Sequence, residues 1–227
     1  MNANELMSRY RQVIDEEPMF KSNEIAIIAN ENAKKDGILL VGMNPSGCGN
    51  FMIYPYLECD NNFFNPKHKM MGEFDDRCAY IDLFPFRNGV QGIAADDDEC
   101  RYRGKLLSHT RDYIEDLRPR LIIYANTSTR YWGFRGDWMG YKFSHIKSPL
   151  LGDKQCWPLY KITGIVPTDV NRRSTGSNLE NYTYFLRYRQ HEDRARRPVP
   201  VSKMLTQDDI QLLTSFIDKD WAESLLK

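Results

Sequence analysis

Asn44 lies in the part of the chain with the clearest signs of chemistry. It belongs to the segment Gly42-Met43-Asn44-Pro45-Ser46-Gly47, which follows Ile38–Val41, an apolar run the size of a buried strand. In open parallel sheets, ligands bind outside the carboxyl ends of the strands. An asparagine at that point can offer both a donor and an acceptor to a ligand. A plain turn is the alternative, because Asn-Pro and Ser-Gly are common turn pairs.

The sequence predicts no metal and no cofactor. The Lys-Ser/Thr pair of a phosphate loop is missing, and no G-x-G-x-x-G opens a helix. The five cysteines, at positions 48, 59, 78, 100 and 156, include no C-x-x-C, and the four histidines are dispersed. We expect reduced, scattered thiols. The acidic run Asp96–Glu99 suits the positive end of a helix dipole, and a metal-binding carboxylate cluster is the alternative.

Strands alternating with helices are predicted to position Asn44. The strands are expected at Ile38–Met43, Ala79–Phe84, Leu121–Ala125 and Trp157–Val166. A helix over residues 4–16 precedes them, and another fills the space between the second and third strands until Pro119 stops it. Helices between strands imply a parallel sheet covered on both faces. The predicted fold is therefore a three-layer α/β/α sandwich with a short parallel sheet.

The chain is predicted to have three parts. Residues 1–36 form a helical lead-in, 37–190 the α/β domain, and 191–227 a linker and a C-terminal helix capped by Thr206. The apolar stripe of that helix consists of Ile210, Leu213, Ile217, Trp221 and Leu225. We expect the stripe to pack on the domain, and contact with a partner chain is the alternative.

The composition describes an ordinary globular protein. Among 227 residues, 41% are hydrophobic, and 31 basic residues balance 31 acidic ones. These values exclude a disordered chain, a collagen and a coiled coil, and they argue against a generally basic nucleic-acid binder. No apolar run approaches the roughly 20 residues of a membrane helix, and residues 1–11 contain no secretory signal. The expected location is the cytoplasm, with no membrane contact.

Several segments, in this order, resemble the motifs of the uracil-DNA glycosylase superfamily. Residues 38–47 are similar to the Gly-x-Asn-Pro-Gly motif of its mismatch-specific and single-strand-selective branches, with Ser46 inserted before the glycine. Residues 79–85 resemble the strand that carries a base-recognising asparagine, with Asp82 in its place. Residues 118–127 resemble the family's helix-proline-strand stretch. Residues 166–173 resemble its His-Pro-Ser motif and the Asn or Arg that follows, with Val166 in place of the histidine.

The resemblance, which spans about residues 37–190, implies a DNA-base glycosylase that hydrolyses the N-glycosidic bond of a flipped base. Asn44 would position the attacking water, and Tyr56 would stack on the base. The other implied base-binding residues are Met43, Asp82 and Asn126. The implied DNA contacts are Ser46, Pro167, Thr168, Asn171, Arg172 and Arg173. The implied partner is single- or double-stranded DNA.

Two departures from the family pattern change the expected chemistry. An ionised Asp82 can only accept hydrogen bonds, so it suits an N–H edge, as on cytosine, adenine or guanine, rather than a uracil carbonyl. A protonated Asp82 could mimic the asparagine, and a hydrogen-bond network at the end of the sheet is its structural alternative. Val166 cannot donate to the departing base, so activity is expected to be weak. His145 is one candidate substitute.

The stretch 171–197 carries seven arginines against three acidic residues, with aromatic residues interleaved. Arginines beside stacking aromatics suit nucleic acid, and a solvated helix with an aromatic core face is the alternative. The leading hypothesis is thus a DNA glycosylase-like protein. A non-catalytic module that holds a base on the same fold comes second. An unrelated nucleotide-handling α/β enzyme is the third.

Overall fold

A computed structural model describes nine stretches of the chain. They are residues 1–16, 24–45, 53–87, 97–125, 129–134, 138–147, 157–168, 176–188 and 203–224. The helices are α1 (Ala3–Asp15), α2 (Asn65–Met71), α3 (Asp97–Leu117) and α4 (Gln207–Ser224). The strands are β1 (Ile27–Ala29), β2 (Ile38–Gly42), β3 (Ile53–Pro55), β4 (Ala79–Asp82), β5 (Leu121–Ala125), β6 (Tyr141–Ile146), β7 (Leu159–Ile165) and β8 (Tyr184–Tyr188).

A mostly parallel sheet of six strands forms the centre of the protein, in the order β4-β2-β5-β8-β7-β6. The first four strands are parallel, so their carboxyl ends meet at one edge of the sheet, which we call the carboxyl edge. The opposite edge, where these strands begin, is the amino edge. β1 and β3 form a separate two-stranded parallel sheet.

β7 and β6 differ from the predicted all-parallel sheet. β7 pairs antiparallel with β8 on one side and with β6 on the other. The predicted strand Trp157–Val166 therefore exists as Leu159–Ile165, but it runs in the opposite direction from that expected. The fourth parallel strand is β8, which lies inside the stretch whose alternative interpretation was a helix. β8 is buried on both faces, and such a strand has no simple apolar-polar alternation in its sequence.

Helices cover both faces of the sheet, which gives the three α/β/α layers. On one face, α1 and α3 contribute Leu6, Tyr10, Leu106 and Ile114 to a core with Leu39, Val41 and Ile122 of the strands. On the other face, α2 and α4 contribute Met70, Met71, Ile210, Leu213 and Ile217 to a core with Leu40, Ile123 and Leu186. Because side chains alternate along a strand, neighbouring residues of β2 and β5 enter opposite cores.

The helix ends follow ordinary capping rules. Asn2 and Glu5 form a reciprocal capping box at the start of α1. Thr206 and Asp209 do the same for α4, with the Asp209 carboxylate accepting from the Thr206 backbone N–H at 2.8 Å. The acidic residues from Asp97 onward stand in the first turn of α3. No helix in the described part of the chain is long and apolar enough to cross a membrane.

Candidate functional site

The strand order directs attention to the carboxyl edge. β2 lies between β4 and β5, so the chain leaves β2 toward one side of the sheet and returns on the other. Ligands in open α/β sheets bind at the carboxyl ends of strands beside such a switch in strand order. Asn44 and Asp82 both lie at this edge, at the ends of two adjacent strands, as predicted.

Asn44 is half-buried and attached to the segment that follows β4. Its Nδ2 donates a hydrogen bond to the backbone oxygen of Phe86 at 3.3 Å. Parallel pairing continues beyond the strands, because Leu83 N–H donates to Gly42 at 3.1 Å and Phe84 N–H donates to Met43 at 3.0 Å. These contacts fix the backbone around Asn44. Met43, a predicted base-binding residue, is half-buried and packs against the core on the α1–α3 face.

Asp82 is buried and takes part in a hydrogen bond within the sheet. Its side chain is 4% exposed, and its Oδ1 accepts from the Tyr80 hydroxyl at 3.0 Å. This contact matches the predicted alternative of a network at the end of the sheet. Gly42 is the register partner of Asp82, and a Cβ at Gly42 would overlap both the carboxylate and the Tyr80 hydroxyl. Glycine is therefore required at this position for reasons of space.

Lys67 places a second ionisable group next to Asp82. This α2 side chain is 1% exposed, and its Nζ donates to the backbone oxygen of Phe63 at 2.7 Å. Burial lowers the pKa of Lys67 well below its ordinary value, and attraction to Asp82 opposes that shift in part. Burial, reinforced by Asp82, raises the pKa of Tyr80 well above its ordinary value. The Tyr80 hydroxyl therefore stays protonated and acts as the hydrogen-bond donor to Asp82.

The predicted role of Tyr56 does not fit the structure. Its ring is 0% exposed and stacks on Tyr80, with centroids 5.4 Å apart. Its hydroxyl donates to Asp75 at 2.7 Å, and the same carboxylate contacts His68 Nδ1 at 2.6 Å. A base has no access to a ring held in this way. Tyr54, on β3, is the half-buried aromatic residue of the same segment.

Pro167 and Thr168 lie far from Asn44, so their predicted DNA contacts are not part of this site. They follow β7, which runs antiparallel to its neighbour β8, and they therefore lie at the amino edge. Thr168 is buried, and its hydroxyl donates to the backbone oxygen of Trp138 at 2.6 Å. Val166, whose N–H donates to Gly140 at 2.8 Å, lies at the same edge. The match of this segment to the His-Pro-Ser motif is therefore wrong in position.

His145 does not replace the missing histidine. It lies on β6, the outermost strand, and contacts Tyr160. Four strand spacings separate β6 from β2, which corresponds to about 19 Å. The imidazole cannot span this distance to a group beside Asn44.

The remaining predicted contacts lie outside the described residues: Ser46, Asn126, Asn171, Arg172 and Arg173. Of the seven arginines in the basic stretch, the structure describes Arg187, a half-buried residue of β8.

Lys67 and Tyr80 are the residues that the sequence analysis missed. Lys67 had a detectable signal, because Phe63, Phe64, Met70 and Met71 flank it at the spacing of one helix face. A lysine inside an apolar stripe is rarely buried without a counter-charge. Tyr80 is two residues from Asp82 on one strand, so both side chains lie on the same face.

Metal chemistry finds no support in the side chains. Among the described residues, no group of three or more His, Cys, Asp and Glu side chains converges in a way that could hold an ion. Cys59 and Cys78 are buried free thiols.

No protein-family model matches the chain, and no curated protein matches its sequence.

Proposed function

We propose that the protein is a DNA-base glycosylase-like enzyme, which holds a flipped base at the carboxyl edge and hydrolyses its N-glycosidic bond. The observation that carries the proposal is the position of Asn44, at the end of β2 beside the switch in strand order. Residues 38–47 also resemble the first motif of the uracil-DNA glycosylase superfamily, and this resemblance implies that Asn44 positions the attacking water.

Asn44 would hold the attacking water. The hydrogen bond from its Nδ2 to Phe86 orients the carboxamide, so that the donor and acceptor ends are distinguished. The Oδ1 end is the acceptor that binds a water hydrogen and directs the water oxygen toward the sugar carbon. The bond between sugar and base then breaks, the water oxygen bonds to the sugar carbon, and the base leaves with the bonding electrons. The proton that the water loses is taken up by the departing base, which balances the reaction.

The departing base needs positive charge nearby, because negative charge develops on it. We propose that this charge comes from Arg103 and from Arg87, whose guanidinium also pairs with Glu24 at 3.9 Å. Arg87 directly follows Phe86, the partner of Asn44, and Arg103 is 5% exposed with its guanidinium over the Phe84 ring at 5.6 Å. Both therefore belong to the surroundings of the segment that anchors Asn44.

The decisive experiment is an excision assay on oligonucleotides with uracil, hypoxanthine, xanthine and alkylated bases, in single- and double-stranded form. We expect excision of at least one base, reduced about a hundredfold or more in Asn44→Ala. Asn32→Ala is the matched control, because Asn32 is exposed ahead of β2 at the amino edge. Equal rates for parent and Asn44→Ala would remove Asn44 from the mechanism.

A base-binding module without catalysis is the second candidate. The engagement of Asp82 with Tyr80 favours it, because this carboxylate is occupied within the sheet. This candidate predicts that no substrate is cut, while an oligonucleotide binds the parent and binds Asn44→Ala more weakly. Absence of both cutting and binding would contradict both candidates.

A further inference from the structure

A pocket lies on the α2–α4 face of the protein, and Asn44 is not among the residues that line it. It has a volume of about 590 Å³ and lies between α2, the start of α4 and the last residue of β8. Ligand pockets in proteins range from about 300 to 1,000 Å³. The pocket is therefore large enough for a small organic molecule.

The walls of the pocket are held in place by contacts within the protein. Tyr188 is 3% exposed and packs on Trp157, with ring centroids 5.2 Å apart. Trp157 Nε1 donates to the backbone oxygen of Lys203 at 3.0 Å, which fixes the chain just before Met204. The capping box of Thr206 and Asp209 satisfies the first turn of α4 internally. The pocket is thus formed before any ligand arrives.

The floor of the pocket suits a flat aromatic ring. It is made by Met70, Met204, Leu205 and Tyr188. Thioether sulfurs make favourable contacts with aromatic rings, and methionine adapts to their shape. A ring in this pocket would pack against Met70 and Met204, two of the residues that line it.

The polar residues that line the pocket, which we call its rim, supply both hydrogen-bond donors and hydrogen-bond acceptors. Asn62 and Gln207 present carboxamides, each with a donor and an acceptor end. In the described part of the chain, the Asn62 side chain makes no hydrogen bond to protein. The Gln207 carboxamide fills the space that a Cβ at Gly72 would occupy, so the glycine allows this side chain to lie against the backbone at the end of α2. Paired donors and acceptors of this kind match the edge of a nucleobase.

The charges of the rim argue against a phosphate-rich ligand. Lys69 contributes one positive charge and Asp208 one negative charge, and both side chains are exposed. A polyphosphate would meet the Asp208 carboxylate, whereas an uncharged heterocycle loses nothing. We propose that this pocket binds a nucleobase, stacked on the Met70–Met204 floor and recognised by Asn62 and Gln207.

Two sources could supply this base, a free nucleoside or a nucleotide within a strand. The pocket reaches the carboxyl edge at Tyr188, and β8 is two strand positions from β2, which corresponds to about 10 Å. A nucleic-acid strand with one base beside Asn44 therefore has neighbouring nucleotides within reach of the pocket. The proposal does not depend on glycosylase chemistry, because binding alone tests it.

Isothermal titration with the full chain tests the pocket, with adenosine, guanosine, cytidine and thymidine in one arm and a single-stranded oligonucleotide in the other. Met204→Trp fills the pocket with a large ring. Leu212→Trp is the matched control, because it adds the same ring at a leucine of α4 that is 44% exposed. We expect Met204→Trp to weaken binding at least about tenfold, equal to about 1.4 kcal/mol, and Leu212→Trp to leave it unchanged.

A nucleoside that binds the parent identifies a free ligand, and an effect of Met204→Trp confined to the oligonucleotide identifies a base within a strand. Asn62→Ala keeps the test valid if Met204→Trp does not fold, because Asn62 is exposed and its loss should weaken binding and change the preference among bases. Absence of binding in both arms would overturn the proposal. So would equal affinities for the parent, Asn62→Ala and both tryptophan variants.

Discussion

The amino and carboxyl edges of the sheet each contain a tyrosine that donates to an aspartate, in different surroundings. At the amino edge, Asp36 accepts from the Tyr182 hydroxyl at 2.8 Å and from Arg118 at 2.9 Å. Both partners of the ion pair are about half exposed, with 51% for Asp36 and 48% for Arg118. Water can solvate the Asp36 carboxylate and the Arg118 guanidinium whether or not these contacts form.

At the carboxyl edge, the pair of Tyr80 and Asp82 is enclosed in the protein. Asp82 is 4% exposed and Tyr80 is 1% exposed, and the Lys67 side chain is buried as well. A buried carboxylate is costly unless hydrogen bonds and opposite charge compensate it. The contacts at the amino edge therefore stabilise the fold while they remain in contact with water. The carboxyl edge instead keeps polar groups in an apolar setting, which costs stability. Such a cost is typical of functional sites.

The largest expected effect comes from closing the space beside Asp82. Gly42→Ala puts a methyl group into overlap with both the Asp82 carboxylate and the Tyr80 hydroxyl, so we expect a cost of about 3 kcal/mol or more, at or above the upper end of the usual range for overpacking. Urea denaturation measures the change in the free energy of unfolding. Gly37→Ala is the matched control at the other end of β2, where the added Cβ lies 3.0 Å from the Lys34 oxygen. In the double variant, Tyr80→Phe removes one of the overlapping atoms and should relieve part of the cost of Gly42→Ala. If the cost is the same with and without the Tyr80 hydroxyl, the assigned overlap is wrong.

Removal of each tyrosine hydroxyl compares the two edges directly. Tyr80→Phe leaves a buried carboxylate without this donor, which should cost about 1.5–3 kcal/mol of unfolding free energy. Tyr182→Phe leaves an exposed carboxylate that water can solvate, so its cost should stay below about 1 kcal/mol. Denaturation of both variants at one pH gives the two values. Equal costs would contradict the distinction between the edges.

The pH dependence of stability should carry the signature of Lys67. Burial holds the pKa of folded Lys67 well below its unfolded value of 10.5, so between these values the unfolded chain binds more protons. Stability therefore rises with pH, by at most about 1.4 kcal/mol per pH unit for one proton. Above the folded pKa of Lys67 and below pH 9, the ordinary pKa of Cys78, we expect Lys67→Met to reduce the slope of stability against pH.

Lys69→Met is the control for this slope, because Lys69 is an exposed lysine two positions along the same helix. The two methionine variants lose the same charge and differ in burial. A slope that changes equally in both variants would show that Lys67 is not the source.

The smallest expected effect belongs to the amino edge. Burial is the largest single influence and raises the pKa of Asp36, but the hydrogen bonds from Tyr182 and Arg118 and the attraction of Arg118 and Arg120 together outweigh it and lower the pKa below the ordinary 3.8. The stabilisation is therefore present above pH 3.8 and is lost as pH falls through the folded pKa. Asp36→Asn should cost about 0.2–1 kcal/mol at pH 7, the range for exposed pairs. Acid titration of both proteins should show this difference shrinking below pH 3.8.

The local features of the fold were predictable from the sequence, and the path of the chain was not. Apolar runs at residues 38–41 and 121–124 indicated buried strands, and the structure contains both in parallel. The direction of β7 was missed because an apolar strand has the same periodicity in both directions. Only the pairing with β6 and β8 distinguishes them, and β6 mixes exposed and buried residues in no simple order.

The same distinction explains which of the predicted site residues were placed correctly and which were not. Asn44 and Asp82 were correctly brought to one edge because each follows a parallel strand. Tyr56 was misjudged because a sequence offset from Asn44 does not determine whether an aromatic ring faces solvent or the core. Val166 and Pro167 were misplaced because one reversed strand moves everything after it to the opposite edge.

The hairpin of β6 and β7 also determines the order in which the sheet can assemble. Ile146 and Leu159 are 13 positions apart when they pair, and Leu159 and Leu186 are 27 apart. Pairing of β5 with β8 joins residues 63 positions apart, and pairing of β2 with β5 joins residues 83 apart. Each doubling of a closed loop costs about 0.6 kcal/mol of chain entropy, and non-local pairs form more slowly.

β2 and β4, the two strands that carry Asn44 and Asp82, pair over only 40 positions. We therefore expect the antiparallel strands and the β2–β4 pair to form first and β5 to join them afterwards, because its pairings with β8 and β2 span more of the chain. Pulse-labelled hydrogen exchange during refolding would show early protection in β6 and β7 and later protection in β5. The two strand ends that carry Asn44 and Asp82 thus come together before the sheet is complete, and β5 then joins that pair to the antiparallel half.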